Sequence, residues 1–327
     1  MKALPHMFLI IALGAVPAFS ESPVLLPPSG LRRGEPAFAA LALTEPGGRA
    51  RDYTLSIRYA DGSDGPRSIG FSAPAAGRDV RSEGPSAAST YPRVVLFLAA
   101  APITAPLGEA SMVVFGPGGE AVAGARLIVA DRVFERQDLP LDQALTSLRV
   151  DPDPLKTEQA LRYQAVLASA DPSAAFLDSG FVKPVASERR TSLFGLRRRY
   201  LYVDGGVDVT THNGIDYGSP TGTPVVAAGA GRVVMAEARI VTGNTVVIEH
   251  LPGAYTIYMH LDTMAARVGT VLARGDPVGT VGMTGLATGP HLHWEFRVMG
   301  TACDPEVLVG LDKMPDIHRI VSAIEGG

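Results

Sequence analysis

Cysteine is almost absent: Cys303 is the only one in 327 residues. One thiol cannot close an internal disulfide, and without a second cysteine it makes no thiolate zinc site. The chain must rest on a buried core instead, and its length leaves room for two domains. A basic excess is lacking too. The formal net charge is −4, which argues against a nucleic-acid partner. Beyond the first twenty residues no apolar run is long enough to cross a bilayer as a helix.

Those first twenty residues are the exception. Lys2, the apolar run from Phe8 to Val16 and the small-x-small ending Ala18-Phe19-Ser20 read as a secretory signal peptide cut before Glu21. Its apolar part is too short for a membrane span. No cysteine stands at the cleavage point, where Glu21 follows Ser20, so no lipid anchor is expected. The mature chain is expected to be exported to the periplasm or cell envelope, with no stable membrane anchor.

Residues 21–130 have the pattern of an all-β module. Tyr53, Leu55, Ile57 and Tyr59 alternate with Thr54, Ser56 and Arg58, and the turn Asp61-Gly62-Ser63-Asp64-Gly65-Pro66 comes directly after them. Further strands are predicted at Ala37–Leu43, Val94–Ala99, Met112–Phe115 and Arg126–Val129. Short strands at this spacing point to an immunoglobulin-like β-sandwich, with a role as scaffold, wall binder or dock for a regulatory protein partner. Residues 131–178 read as a helical connector. Asp153-Pro154 looks like an N-cap with proline in the first turn. Leu161, Ala165 and Ala168 fall on one helical stripe, and Ala170-Asp171-Pro172-Ser173 ends the helix. Such a connector would pack the β module against the C-terminal region and could shield part of a cleft there. Residues 179–327 are short strands and glycine turns, an antiparallel sheet with one short helix expected in the tail at Pro315–Ile324.

The chemistry is concentrated in this last region. Thr288-Gly289-Pro290-His291-Leu292-His293-Trp294-Glu295-Phe296-Arg297-Val298 alternates as a strand with two unlike faces. Leu292, Trp294, Phe296 and Val298 should be buried, while His291, His293, Glu295 and Arg297 should line a cleft. Two imidazoles at i and i+2 stand about 6–7 Å apart at Cα, so one ring can bind a metal while the other reaches a water on it. Upstream, His212-Asn213-Gly214-Ile215-Asp216 offers an imidazole and a carboxylate, both ordinary zinc ligands. In an extended strand they would lie about 13 Å apart, so the Asn-Gly turn must fold them together. His212, Asp216 and His293 would then give three protein ligands and an open fourth position, the pattern of a catalytic zinc. His260, in Tyr258-Met259-His260-Leu261, and His291 are left for proton transfer.

In order, His-x-Gly-x-Asp, Tyr-x-His-Leu and Thr-Gly-Pro-His-Leu-His-Trp-Glu resemble the lysostaphin-type, LytM-like zinc metallopeptidases that cut peptidoglycan cross-bridges. Ser192-Leu193-Phe194-Gly195-Leu196-Arg197 is similar to that family's opening motif, and the likeness runs from about Phe181 to Val309. It implies a C-terminal LytM-type (duplicated hybrid motif) domain with one zinc ion per chain. The implied reaction is a D,D-endopeptidase cleavage of peptidoglycan peptide cross-links by a zinc-bound water, whose pKa falls from 15.7 to about 7. His260 and His291 would handle protons and the oxyanion. Two other readings stand beside it: a non-catalytic activator of another wall hydrolase on the same fold, and a metallopeptidase acting on proteins.

Several side chains keep two readings. Glu295 either orients a histidine or is an exposed strand carboxylate. The basic cluster Glu188-Arg189-Arg190 and Arg197-Arg198-Arg199 is either a solvated rim or a contact for substrate carboxylates. The loop Asp204–Asp208 is expected as a cleft wall, with Tyr200 and Tyr202 near it. His250 and His318 are expected at the surface or at strand ends, outside the site.

Overall fold

The computed structural model describes residues 23–28, 30–43, 48–72, 94–177 and 180–310. The signal peptide, the tail helix and His318 fall outside them. The first eight strands are β1 (Val24–Leu26), β2 (Leu31–Arg32), β3 (Pro36–Ala42), β4 (Thr54–Tyr59), β5 (Ser68–Ile69), β6 (Val94–Ala100), β7 (Gly108–Phe115) and β8 (Ala121–Ala130). They form a three-stranded sheet, β1-β3-β6, and a five-stranded sheet, β2-β8-β7-β4-β5. Leu41, Val95 and Phe97 of the first sheet and Leu55, Ile57, Met112 and Val114 of the second share one core, as facing sheets with alternating inward residues must.

Strand β6 reads Val-Val-Leu-Phe-Leu-Ala-Ala with no alternation, and all seven residues are buried. An unbroken apolar strand needs cover on both faces. Val95, Phe97 and Ala99 face the sandwich core. Val94, Leu96, Leu98 and Ala100 instead join a second core with Phe181, Tyr217, Trp294 and Phe296 from the C-terminal region. Its neighbour β3 divides in the same way, Ala37, Ala39 and Leu41 facing the sandwich core and Phe38 and Ala40 the second one, so the β module and the C-terminal sheet close on each other through these two strands.

The connecting segment is less helical than its sequence suggests. Its first element is a strand, β9 (Arg136–Pro140), followed by α1 (Gln143–Val150) and α2 (Pro154–Ala168). Asp153 caps α2 as expected, its carboxylate accepting from the Leu155 N–H at 2.8 Å, with Pro154 in the first turn. The expected buried stripe is wrong. Leu161, Ala165 and Ala168 are exposed, while Gln159 and Leu167 are buried and Tyr163 and Val166 partly so. A polar grip chooses the face: the Gln159 side chain accepts from the Ile240 N–H at 2.8 Å, and the Arg239 guanidinium stacks 4.6 Å from the Tyr163 ring centroid.

The remaining strands are β10 (Arg190–Ser192), β11 (Arg197–Leu201), β12 (Val207–Thr211), β13 (Ile215–Gly218), β14 (Pro224–Val226), β15 (Gly231–Arg239), β16 (Gly243–Leu251), β17 (Ala254–Met264), β18 (Val271–Leu272), β19 (Pro277–Val281), β20 (His291–Val298) and β21 (Thr301–Cys303). Ten of them make one sheet along the path β10-β13-β20-β17-β16-β15-β18, with β14, β19 and β21 attached. Every pairing in it is antiparallel. The hairpin β11–β12 stands apart and takes β9 as a parallel third strand.

His250 takes the strand-end position of its two expected places, and not the surface one. It lies near the end of β16 but is fully buried, with Nδ1 donating to the Ala230 carbonyl at 2.7 Å and Nε2 2.7 Å from Thr256 Oγ1. Burial lowers its pKa to about 4. Between that value and the ordinary 6.5 the unfolded chain binds the extra proton, so stability is present above about pH 6.5 and is lost as pH falls toward 4. The shift corresponds to roughly 3 kcal/mol. Replacing His250 with Gln should therefore flatten the acid limb of a denaturant-stability profile between pH 6.5 and 4. An acid limb identical to wild type would assign the sensitivity to other groups.

Candidate metal centre

Register brings the first two groups together. Strands β13 and β20 pair so that Asp216 lies directly opposite His293, with Ile215 opposite Trp294 and Gly218 opposite His291. Cross-strand partners point to the same face, so the carboxylate and imidazole meet: His293 Nδ1 is 2.7 Å from Asp216 Oδ1. His212 arrives from the end of β12 through the bend Asn213-Gly214. Its Nε2 lies 3.1 Å from the same Asp216 oxygen and 3.0 Å from His293 Nδ1. The bend works because Gly214 lies flat against β20, where a Cβ would be driven into the Trp294 carbonyl.

His260 reaches this face by an irregularity. On β17, Ile257 pairs with Glu295 and Met259 with His293, while Tyr258 pairs with Trp294. Strict alternation would send the next residue to the opposite side, among the core residues. The β16–β17 register instead shifts between its Val246–Tyr258 and Asn244–Leu261 pairs, and His260 takes a left-handed φ of 61°. Such a bulge re-aims one side chain. The His260 ring comes to 4.8 Å from that of His291 and 6.1 Å from that of His293, centroid to centroid.

Each imidazole is oriented by a second bond. A carbonyl oxygen can only accept, so Nδ1 carries the proton in His212 (to Leu193 O, 2.8 Å), His260 (to Thr284 O, 2.7 Å) and His291 (to Gly289 O, 2.8 Å). Their Nε2 atoms remain as acceptors, and that of His291 lies 3.7 Å from Asp216 Oδ1. His293 is turned the other way, its Nε2 donating to Glu295 Oε1 at 3.0 Å. Burial lowers the pKa of His212 and His291, and takes His260 to about 3 with help from its two histidine neighbours. Burial opposes charge on His293 as well, but Asp216 and Glu295 outweigh it and raise the pKa to about 9. Asp216 is held well below the carboxylate range, the two histidines overcoming its burial.

The donor set suits a metal ion. His212 Nε2, Asp216 Oδ1 and His293 Nδ1 converge, and the three form a His-Asp-His group able to hold one. Ligands of a tetrahedral zinc at about 2.0–2.1 Å would stand roughly 3.3 Å apart, a slight expansion of the present triangle. The proton on His293 Nδ1 points at the same acceptors, and a metal would displace it.

Other expectations shift. Glu295 is buried, with Oε2 accepting from Arg297 Nε at 2.7 Å, so the exposed-carboxylate reading fails. Arg198 is no solvated rim, since its guanidinium pairs with Asp216 Oδ2. Three successive arginines on a strand cannot share one face, and that alternation is the signal the sequence offers. Arg190 and Arg199 do pair at the surface, with Glu306 and Asp138. Asp208, Tyr200 and Tyr202 bind Arg149 of α1. Exchanging Gly214 for Ala should cost about 1–3 kcal/mol and lower zinc content, read by denaturant midpoint and metal analysis. Wild-type values in both would show that the bend tolerates a side chain.

Comparison with known proteins places the same segment. The description "Peptidase family M23" matches residues 210–305. The peptidoglycan DD-endopeptidase ShyA of Vibrio cholerae is 45% identical over 92 residues, 28% of this chain and 21% of that one. The catalytic domain of the prophage-encoded M23 protein EnpA of Enterococcus faecalis is 33% identical, over 38% of this chain and 91% of that one, with a TM-score of 0.32. A crystal structure assigned to peptidase M23 from Pseudomonas aeruginosa shares the fold over 84% of this chain and 93% of its own, at 22% identity and a TM-score of 0.52. The chain spans under a third of the length of the curated relatives it matches. Residues 210–305 thus match peptidase family M23, the lysostaphin or LytM type that the motifs of this region resemble.

Proposed function

We propose that this protein is an exported zinc endopeptidase that opens peptide cross-links of peptidoglycan, with His212, Asp216 and His293 as zinc ligands. One observation carries the reading: three donor atoms converge beside two further imidazoles, and every ring is fixed by its other nitrogen. The relatives named peptidoglycan DD-endopeptidases support the substrate class. The expected signal peptide supports export.

Zinc at this position supplies Lewis acidity toward water and toward a peptide carbonyl oxygen. His260 and His291 are neutral near pH 7 because burial lowers both pKa values. Each keeps Nε2 free to accept a proton from the attacking water, and a protonated ring can return it to the leaving amine. A step of this kind is worth about 10²–10⁴-fold. Glu295 keeps the His293 ring from turning, and Arg198 does the same for the Asp216 carboxylate.

Alanine at His212, Asp216 or His293 should abolish zinc retention after dialysis. Alanine at His260 or His291 should leave about one zinc per chain while turnover falls by about two to four powers of ten. Full zinc in all five variants would move the metal elsewhere, and loss from His291→Ala with retention in His293→Ala would reverse that pair.

Purified sacculi test the substrate. Digestion should convert cross-linked muropeptide dimers to monomers at the D-Ala to diaminopimelate bond, leaving glycan strands intact. Shortened glycans with intact cross-links would overturn the endopeptidase reading, as would cleavage of protein substrates alone. A chain inert on sacculi that stimulates a second hydrolase would be a regulator.

A further inference from the structure

Two ligands of the centre are braced along paths that lead outside the matched segment 210–305. Asp216 gives Oδ1 to the two histidines and Oδ2 to Arg198. Arg198 is itself held: its Nε donates to Gln137 Oε1 at 3.2 Å, and the same oxygen accepts from Ser192 Oγ at 2.8 Å. The parallel pairing of β9 with β11 sets Gln137 beside Arg198. On the other side, Glu295 receives His293 on Oε1, and Oε2 accepts from Arg297 and from the Tyr163 hydroxyl, the latter at 3.3 Å. Tyr163 is carried by α2, which the Gln159 and Arg239 contacts fasten to the sheet. Both paths start in residues 131–178.

We infer that this segment is a brace for the metal centre, in which Gln137 acts through Arg198 on Asp216 and Tyr163 acts through Glu295 on His293. The inference rests on the zinc reading above. Its physical content is preorganisation. A carboxylate with both oxygens bound has one orientation, so the ligand it holds gives up less freedom when the metal arrives. Gln137 and Tyr163 are positioning residues, since neither touches the ligands directly. The brace also opposes the idea that this segment shields the cleft, because removing a lid would help the site and removing a brace would harm it.

The test uses the full chain. Tyr163→Phe removes one hydroxyl and keeps the ring under Arg239, and Gln137→Leu removes the acceptor at similar volume. Zinc affinity is measured by competition with a chromophoric chelator, beside the unfolding midpoint of the zinc-free protein. Glu295→Gln should weaken zinc by about 10–100-fold, as removal of a ligand's partner does, and the two positioning variants by about 3–10-fold. Tyr163→Phe should add nothing further in the Glu295→Gln background, because it acts through that carboxylate. A merely structural role would lower the zinc-free midpoint and leave zinc affinity within twofold of wild type, which overturns the inference. Fully additive losses in the double variant would overturn the Tyr163 path. A wild-type chain that takes up no zinc overturns the metal reading itself, and the brace with it.

Discussion

The pairing of Asp216 with His293 across β13 and β20 is the constraint on which the site depends. Side chains alternate along a strand, so a slip of one residue would present Ile215 or Tyr217 to His293 and send the carboxylate to the apolar side. The apolar side resists that slip. Ile215, Tyr217, Leu292 and Trp294 are all fully buried in the shared core, and turning either strand over would expose them. The packing that stabilises the sheet is thus also what aims the ligands. The site inherits its precision from hydrophobic burial rather than from the polar groups themselves.

Those polar groups are arranged so that little charge is left uncompensated. Asp216 has Arg198 and Glu295 has Arg297, each guanidinium mostly buried beside its carboxylate. Buried ion pairs of this kind contribute little net stability, because desolvation offsets attraction. What they supply here is direction. With both carboxylates already matched, an arriving dication would leave the centre positively charged, which favours the oxyanion that forms when a peptide bond is attacked.

Much of this is legible in the sequence, for a physical reason. The alternation of His291 to Val298, the unbroken run of β6 and the Asp153-Pro154 cap are local patterns, and local patterns survive in one dimension. His260 is identifiable as a histidine near the site, but the bulge that turns it inward depends on a neighbouring strand. The face of α2 misleads because Leu161, Ala165 and Ala168 look apolar, whereas docking is decided by Gln159 and Tyr163 finding partners on β15 and β20. Strand β9 is invisible in one dimension. Arg136-Gln137-Asp138-Leu139-Pro140 carries no strand signal of its own, and only the exposed edge of the β11–β12 hairpin makes it one.

Strand β6 has a consequence for how the chain is made. Val94, Leu96, Leu98 and Ala100 are completed long before Trp294 and Phe296, with which they share a core. At synthesis rates of about 5–20 residues per second the interval is on the order of 10–40 s. Throughout that time a nascent β module would carry a bare apolar sheet face, the kind of surface that invites association with other chains. A translation pause, a holding chaperone or export in the unfolded state would each matter most during this interval.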